Sequence, residues 1–211
     1  VLGSTLYATT LLVASTLLFY DNLRIGMGRF IGQGELLYAL SMPSFAWHWS
    51  MLPLLVIAAG AMARQAGLGW AKNRLVMGAF CVAAVLLSAL DIPSIFSMQL
   101  HPACLADTLR YSTRVTTAQL CPGSELIIST GPGPLVAILV NIVVLVVGIA
   151  LWIQRDWPWL TVGAGLMFIA AGAFASSVWS LPIANFGEIC FTLGCISTAA
   201  HFARQDLQRR L

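Results

Sequence analysis

Residues 134–153 read PLVAILVNIVVLVVGIALWI, a run without any charge in which Asn141 is the only strongly polar side chain. About 20 consecutive apolar residues are enough for a helix to cross the hydrocarbon core of a bilayer. The apolar residues are continuous, whereas the strands of a membrane barrel would alternate apolar and polar positions. This segment therefore predicts a transmembrane helix.

The composition of the whole chain also indicates a membrane protein. The 211 residues are 59% hydrophobic and 9% charged, with a mean hydropathy of +0.86, whereas soluble domains carry about 25% charge. We therefore predict an all-α integral membrane bundle that forms one domain, residues 1–211. Its six spans, none of which contains Lys or Arg, are residues 2–20, 44–63, 75–98, 134–153, 157–181 and 184–203.

The first span lacks a basic segment before it and a clear small-residue cleavage site, so we interpret it as a helix rather than a signal peptide. Because the chain begins at Val1 and not at Met, we leave open that residues precede it.

The distribution of Lys and Arg predicts the orientation, because cytoplasmic loops carry an excess of these residues. With six spans, one side receives Arg64, Lys72, Arg74, Arg155, Arg204, Arg209 and Arg210, and the other receives Arg24, Arg29, Arg110 and Arg114. This bias places both termini in the cytoplasm, and we expect a bacterial inner membrane. The whole chain has a net charge of +3, and its basic tail is Arg204–Arg210. Such a tail is typical of an anchor on anionic lipid, so no nucleic-acid partner is expected.

The connection after the first span, residues 21–43, is too apolar for a plain loop. Leu23, Met27, Phe30 and Ile31 fall on one helical face. We predict a short amphipathic helix that lies in the outer membrane interface.

The segment 99–133 is the longest polar stretch and is predicted to be an external loop. Cys104 and Cys121 are its two cysteines, and on an oxidising side of the membrane they would form a disulfide. The alternative is a redox pair of the kind found in quinone-linked disulfide-forming enzymes, but those enzymes use a Cys-x-x-Cys element that this chain lacks. Together with His101, the two cysteines match no familiar zinc spacing, so no metal site is predicted.

The fifth span, residues 157–181, is rich in Gly, Ala and Ser, and small residues allow close helix packing in lipid. We expect this helix to lie at the centre of the bundle. The alternative is that it forms a contact with a second copy or with a larger membrane complex.

Six polar side chains are predicted to lie at a similar depth beneath the outer surface, because alternate spans run in opposite directions. They are His48, Asp91, Glu188, Asp21, Asn141 and Asn185. Ionisable groups are costly in lipid and tend to point into the bundle. We therefore predict a ligand-binding or proton site in which His48 pairs with Asp91 or Glu188.

A structural role explains several of these residues when each is taken alone. Asp21 would end a helix, Glu188 would lie near the positive end of a helix dipole, and His48 would be an interfacial anchor between two tryptophans. Asp91 is deeper in its span, and a functional role is favoured there.

Three functions remain open on the sequence alone. The first is a protein that binds or transports a small polar, cationic or lipid-like ligand, with coupling to protons as an option. The second is an accessory subunit of a larger membrane complex, and the third is a membrane-embedded enzyme that acts on lipid or quinone. The sequence contains no Gly-x-Ser-x-Gly, His-Glu-x-x-His or phosphate-loop motif, and it indicates no particular cofactor and no catalytic residue.

Overall fold

The structure, a computed structural model, describes residues 2–122, 129–130, 134–173 and 179–210, without the side chains of residues 2–10, 14, 118, 129–130, 206–207 and 209–210. Over these residues the chain is mostly helical. Its α-helices are α1 (Leu2–Ile31), α2 (Glu35–Met51), α3 (Leu54–Gln65), α4 (Arg74–Phe96), α5 (Leu135–Arg155), α6 (Trp159–Ala173) and α7 (Ser180–Arg210).

Three helices in the described part of the chain are long and apolar enough to cross a membrane: α4, α5 and the part of α7 from Ser180 to Gln205. The number is four if α2 and α3, which meet at an angle of 46°, form one broken span. Helix α6 is apolar but shorter. A helical membrane protein is therefore supported, with fewer candidate spans than the six predicted.

The prediction of a separate interfacial helix within residues 21–43 is wrong. Helix α1 continues without a break to Ile31, and α2 begins at Glu35. The charged residues do not end the helix, because Arg24 forms an ion pair with Asp21 one turn earlier. The chain turns instead at Gly32, whose φ of +81° is accessible to glycine at little cost.

The predicted second span is interrupted at Leu52 and Pro53, between α2 and α3. Proline has no backbone N–H, so a carbonyl of the preceding turn loses its helical partner. On α4, the Ser88 hydroxyl donates a hydrogen bond to the Ser50 carbonyl oxygen across a distance of 3.1 Å. Side chains of this kind commonly satisfy backbone groups that a break leaves free in lipid.

The boundary predicted between the fifth span, which ends at residue 181, and the sixth, which begins at residue 184, is also wrong, because Leu181 and Pro182 lie in the first turn of α7. A proline is tolerated there because the first N–H groups of a helix have no intrahelical partner. The end of the predicted fifth span, at residues 174–178, lies outside the described residues.

The predicted external loop contains two short antiparallel sheets. Strands β1 (His101–Leu105) and β2 (Thr108–Ser112) form a hairpin, and β3 (Arg114–Val115) pairs with β4 (Ser129–Thr130). Ala106 and Asp107 form the two-residue hairpin turn, both with positive φ, as in a type I′ turn. The predicted disulfide between Cys104 and Cys121 is present. Residues 123–128 and 131–133 of the predicted loop lie outside the described residues.

The β1–β2 hairpin packs directly on α1 and α2. Tyr111 is buried against Leu37, and its ring meets that of Tyr38 edge-on at 5.3 Å. At Gly28 the approach is so close that an added Cβ would overlap the carbonyl oxygen of Leu109. We call this end of the bundle, where the hairpin meets α1 and α2, the hairpin end.

The main apolar core lies among α3, α5, α6 and α7. Its fully buried side chains include Met62, Val144, Leu160 and Phe202. Helices α6 and α7 approach closely at Gly163, where an added Cβ would lie 2.7 Å from the Cys190 carbonyl oxygen. Part of the small-residue face of the predicted fifth span is thus used for packing within the chain.

Candidate functional site

A buried ion pair joins α1 to α2 at the hairpin end. Arg24 is only 4% exposed, and its Nη2 atom donates to Asp21 Oδ1 at 2.7 Å while Nη1 donates to Ser41 Oγ at 3.0 Å. The Ser44 hydroxyl also donates to Asp21 Oδ1. The guanidinium lies 5.8 Å from the centre of the Phe45 ring. Asp21 and Arg24 are therefore held in fixed positions by neighbours on α2.

Beside this ion pair is a cavity of about 310 Å³, which we call the hairpin cavity. Its walls come from α1, α2, α4, the start of α5 and the strands β2 and β3. The charged and titratable side chains that line it are Asp21, Arg24, His48, Asp91, Arg110 and Arg114. Three of the six predicted site residues, from three different helices, thus meet in one cavity.

A second cavity of about 150 Å³, the apolar cavity, lies on the other side of His48. It is lined mainly by apolar side chains from α1, α2, α5, α6 and α7, with His48, Asn141 and Glu188 as its polar residues. The two cavities share His48, Pro134 and Ala137 as lining residues. A polar chamber and an apolar chamber therefore adjoin at the imidazole of His48.

Glu188 stands where the apolar cavity meets the outer surface of the bundle. Its Oε2 atom accepts a hydrogen bond from Asn22 Nδ2 at 3.2 Å. A groove of about 220 Å³ between α1 and α7 is lined by Ser15, Phe19 and Leu193, and it shares Leu18 and Glu188 with the apolar cavity. We call it the lateral groove.

Asn141 contributes a second polar group to the apolar cavity. Its Nδ2 atom donates to the Ala164 carbonyl oxygen at 3.2 Å. Within the described part of the chain, its buried Oδ1 atom has no hydrogen-bond partner. An amide oxygen is thus available to a donor that enters this cavity.

Arg110 brings a positive charge into the wall of the hairpin cavity. Its Nε atom is buried and finds no hydrogen-bond partner among the described residues. Burial lowers the pKa of Arg110, as does the positive charge of Arg24, while the negative charges of Asp21 and Glu188 raise the pKa. Since arginine stays protonated in proteins, Arg110 brings a partly buried positive charge that has no carboxylate within ion-pair distance among the described residues.

The structure separates the predicted residues into groups. Asp21, His48 and Asp91 line the hairpin cavity, and Asn141 and Glu188 line the apolar cavity together with His48. Asn185, one turn before Glu188 on α7, lines neither cavity nor the lateral groove. Among the described hydrogen bonds, none links His48 directly to Asp91 or Glu188.

Sequence reasoning missed the three arginines of the hairpin cavity. The spacing of Asp21 and Arg24, three residues apart on one helix, was a signal for their ion pair. Arg110 and Arg114 come from the hairpin region, and nothing in the sequence indicates that the hairpin folds back over the bundle.

Among the described residues, no group of three or more His, Cys, Asp or Glu side chains could hold a metal ion. Comparisons with models of protein families, with characterised proteins and with solved structures find no match to this chain. The fold alone therefore assigns the chain to the class of mostly helical proteins, with three to four candidate membrane spans among the described residues.

Proposed function

We propose that this protein is a multi-pass membrane protein that binds a small amphiphile, with the head group in the hairpin cavity and the hydrocarbon chain in the apolar cavity. The observation that carries this proposal is the junction of the two chambers at His48, Pro134 and Ala137. A ligand pocket is typically apolar with a few well-placed polar groups. A polar chamber next to an apolar one matches the two halves of a lipid-like molecule.

The lateral groove supports a route for this ligand from the bilayer. The groove lies between α1 and α7 and shares Leu18 and Glu188 with the apolar cavity. A hydrocarbon chain that enters there would remain in apolar surroundings. The Asn22–Glu188 hydrogen bond, between the same two helices, would then lie beside the entrance.

The proposed topology keeps six crossings, with α2 and α3 as one broken span and with α1 and α6 also crossing the bilayer. The hairpin end then faces the outside of a bacterial inner membrane, and both termini face the cytoplasm. The excess of Lys and Arg on the opposite side supports this orientation, and the Cys104–Cys121 disulfide fits an oxidising compartment.

Ala137→Phe tests the proposed function because Ala137 lines both cavities, so a phenyl ring would fill their junction. The matched control is Ile138→Phe, at the next residue of α5, which is 42% exposed on the outside of the bundle. The probe is a twelve-carbon amphiphile with a photoreactive group at the end of its chain, added to the protein in phosphatidylcholine nanodiscs. Crosslinking is measured by mass spectrometry of the peptides.

We expect the unaltered protein to crosslink at Met167 and Phe191, which line the apolar cavity. Ala137→Phe should weaken binding by about tenfold or more, because each buried methylene contributes ~0.8 kcal/mol. Ile138→Phe should leave binding unchanged. Equal labelling of both variants, or labelling confined to the outer surface, would refute the proposed function.

The exposure of α4 favours a second candidate, an accessory subunit of a membrane complex. Only 6% of the 18-residue apolar stretch of this helix is buried within the chain. Val85, Leu86 and Leu90 are more than half exposed. Lipid or a partner helix could cover this face. A defined complex in native mass spectrometry that is lost on Val85→Lys, while the bilayer insertion of the protein persists, would support this candidate.

A further inference from the structure

The hairpin cavity contains more positive than negative side chains. Arg24, Arg110 and Arg114 line it, against Asp21 and Asp91. The single described ion pair in its walls is that of Arg24 with Asp21. Asp21 Oδ1 also accepts a hydrogen bond from the Ser44 hydroxyl, so this oxygen is engaged by side chains of α1 and α2.

Arg110 and Arg114 have no carboxylate within ion-pair distance among the described residues, since the other described ion pair, Arg29–Asp107, lies outside the cavity. The two side chains reach the cavity from neighbouring strands, with Ser112 and Thr113 between them in the chain. Arg114 is exposed, but Arg110 is partly buried with an unpartnered Nε atom, and a buried charge is costly unless it is paired and hydrogen-bonded. A counter-charge from a ligand would lower that cost.

We propose that the hairpin cavity binds an oxyanion, a carboxylate or phosphate group, between the guanidinium groups of Arg110 and Arg114 and beside that of Arg24. This inference rests on the proposed function, because it names the head group of the amphiphile as anionic. Guanidinium groups bind carboxylate and phosphate oxygens through paired hydrogen bonds. Ser112 lies in the same wall, where its hydroxyl oxygen accepts a hydrogen bond from the Arg114 backbone N–H at 3.3 Å.

The positions of the two acids agree with this choice of ligand. The Asp21 carboxylate accepts hydrogen bonds at Oδ1 from Arg24 and Ser44, and its charge is balanced by that of Arg24. Asp91 on α4 then stands as one negative charge against the two positive charges of Arg110 and Arg114. This balance of charge favours an anionic head group over a cationic one.

The test measures the affinity of three probes for the protein in phosphatidylcholine nanodiscs. Binding to empty discs is subtracted. The probes are dodecyl phosphate, dodecyltrimethylammonium and inorganic phosphate. Arg110→Gln removes the positive charge and the outer part of the guanidinium group, while it keeps a polar nitrogen at the ε position. Arg29→Gln is the matched control, because Arg29 is at the same end of the bundle but is 64% exposed and pairs with Asp107 outside the cavity.

We expect dodecyl phosphate to bind about tenfold more tightly than dodecyltrimethylammonium, and Arg110→Gln to remove that preference, since hydrogen bonds to charged groups contribute at this scale. Arg29→Gln should keep it. Arg114→Gln, at an exposed side chain, is a second variant for the case that Arg110→Gln fails to fold, and it should reduce the preference severalfold.

The outcomes separate this inference from the proposed function. Equal binding of the two twelve-carbon probes, or a preference for phosphate that survives both Arg110→Gln and Arg114→Gln, would overturn the oxyanion site and leave amphiphile binding in place. Arginine-dependent binding of inorganic phosphate alone, with no contribution from the hydrocarbon chain, would support the oxyanion site as a site for a free anion and refute the amphiphile.

Discussion

The hairpin end and the α6–α7 contact are held together by opposite means. At the hairpin end, a buried ion pair and a hairpin packed on α1 surround a polar cavity. Between α6 and α7, glycine backbones approach each other, and an added Cβ at Gly194 would lie 2.8 Å from the Trp159 carbonyl oxygen. Among the residues that the structure describes, none that lines the hairpin cavity comes from α6 or α7.

The comparison separates stability from binding. Close glycine packing supplies van der Waals contact in lipid without any polar group. Polar groups at the hairpin end are costly to bury. Asp21 and Arg24 offset part of this cost by pairing, whereas the buried Nε atoms of Arg24 and Arg110 have no hydrogen-bond partner among the described residues. Substitutions at the α6–α7 contact should therefore change stability without changing the preference for an anionic head group, whereas substitutions at the hairpin end should change both stability and that preference.

The largest expected effect is at Asp21. Asp21→Ala leaves the Arg24 guanidinium, 3% exposed, without its carboxylate, and breaking a buried pair in this way costs about 3–5 kcal/mol. The measurement is the free energy of unfolding in detergent. The control is Asp107→Ala, which removes the pair with Arg29, where both side chains are mostly exposed; such a surface pair contributes about 0–1 kcal/mol.

A companion variant sharpens this test. Adding Arg24→Leu to Asp21→Ala removes the unpaired charge and should recover part of the lost stability. If Asp21→Ala costs no more than Asp107→Ala, the ion pair is not buried as described.

An intermediate effect is expected at Gly28. An added methyl group would overlap the Leu109 carbonyl oxygen, so Gly28→Ala should displace the hairpin from α1 and destabilise the protein by about 2–3 kcal/mol. Gly26→Ala, on the same helix with open space around it, should instead stabilise by up to about 1 kcal/mol through helix propensity. Hydrogen exchange of residues 101–112 should accelerate only in Gly28→Ala. Equal exchange in both variants would contradict the close contact.

The smallest effect is expected at Gly163. Gly163→Ala should cost about 1–2 kcal/mol, because the Cys190 carbonyl oxygen would have to move away from the new methyl group. Gly165→Ala, two residues further along α6 with open space around it, should cost nothing. The preference for dodecyl phosphate over dodecyltrimethylammonium should be the same in both variants, because no described residue of α6 or α7 lines the hairpin cavity. A loss of that preference in Gly163→Ala would break the separation between the two regions.

The sequence was sufficient where the relevant interaction is local or depends on composition. The apolar run of α5 and the pairing of Cys104 with Cys121 follow from length, hydrophobicity and count. The continuation of α1 through Asp21 was missed, because an acid next to an apolar run was interpreted as a helix end, while Arg24 one turn later neutralises it within the helix.

For the candidate site, the sequence predicted the depth of residues along their helices but not the direction in which the side chains point. Depth along each span, derived from the chain direction, predicted a common layer for Asp21, His48 and Asp91, and the structure has these three residues in the wall of one cavity. Depth says nothing about rotation, and Asn185 lies one turn from Glu188 without reaching the cavities. Arg110 could not be predicted, because its position depends on the docking of a hairpin about 80 residues later in the chain than the helix that receives it.

The disulfide links the maturation of the cavity to the compartment in which the chain is assembled. Cys104 lies on the strand paired with the one that carries Arg110, and its partner Cys121 is made later in synthesis, after the hairpin is complete. A chain kept in reducing surroundings would retain this wall through sheet hydrogen bonds and packing alone. Oxidation of Cys104 and Cys121 would then be the step that closes this charged wall covalently.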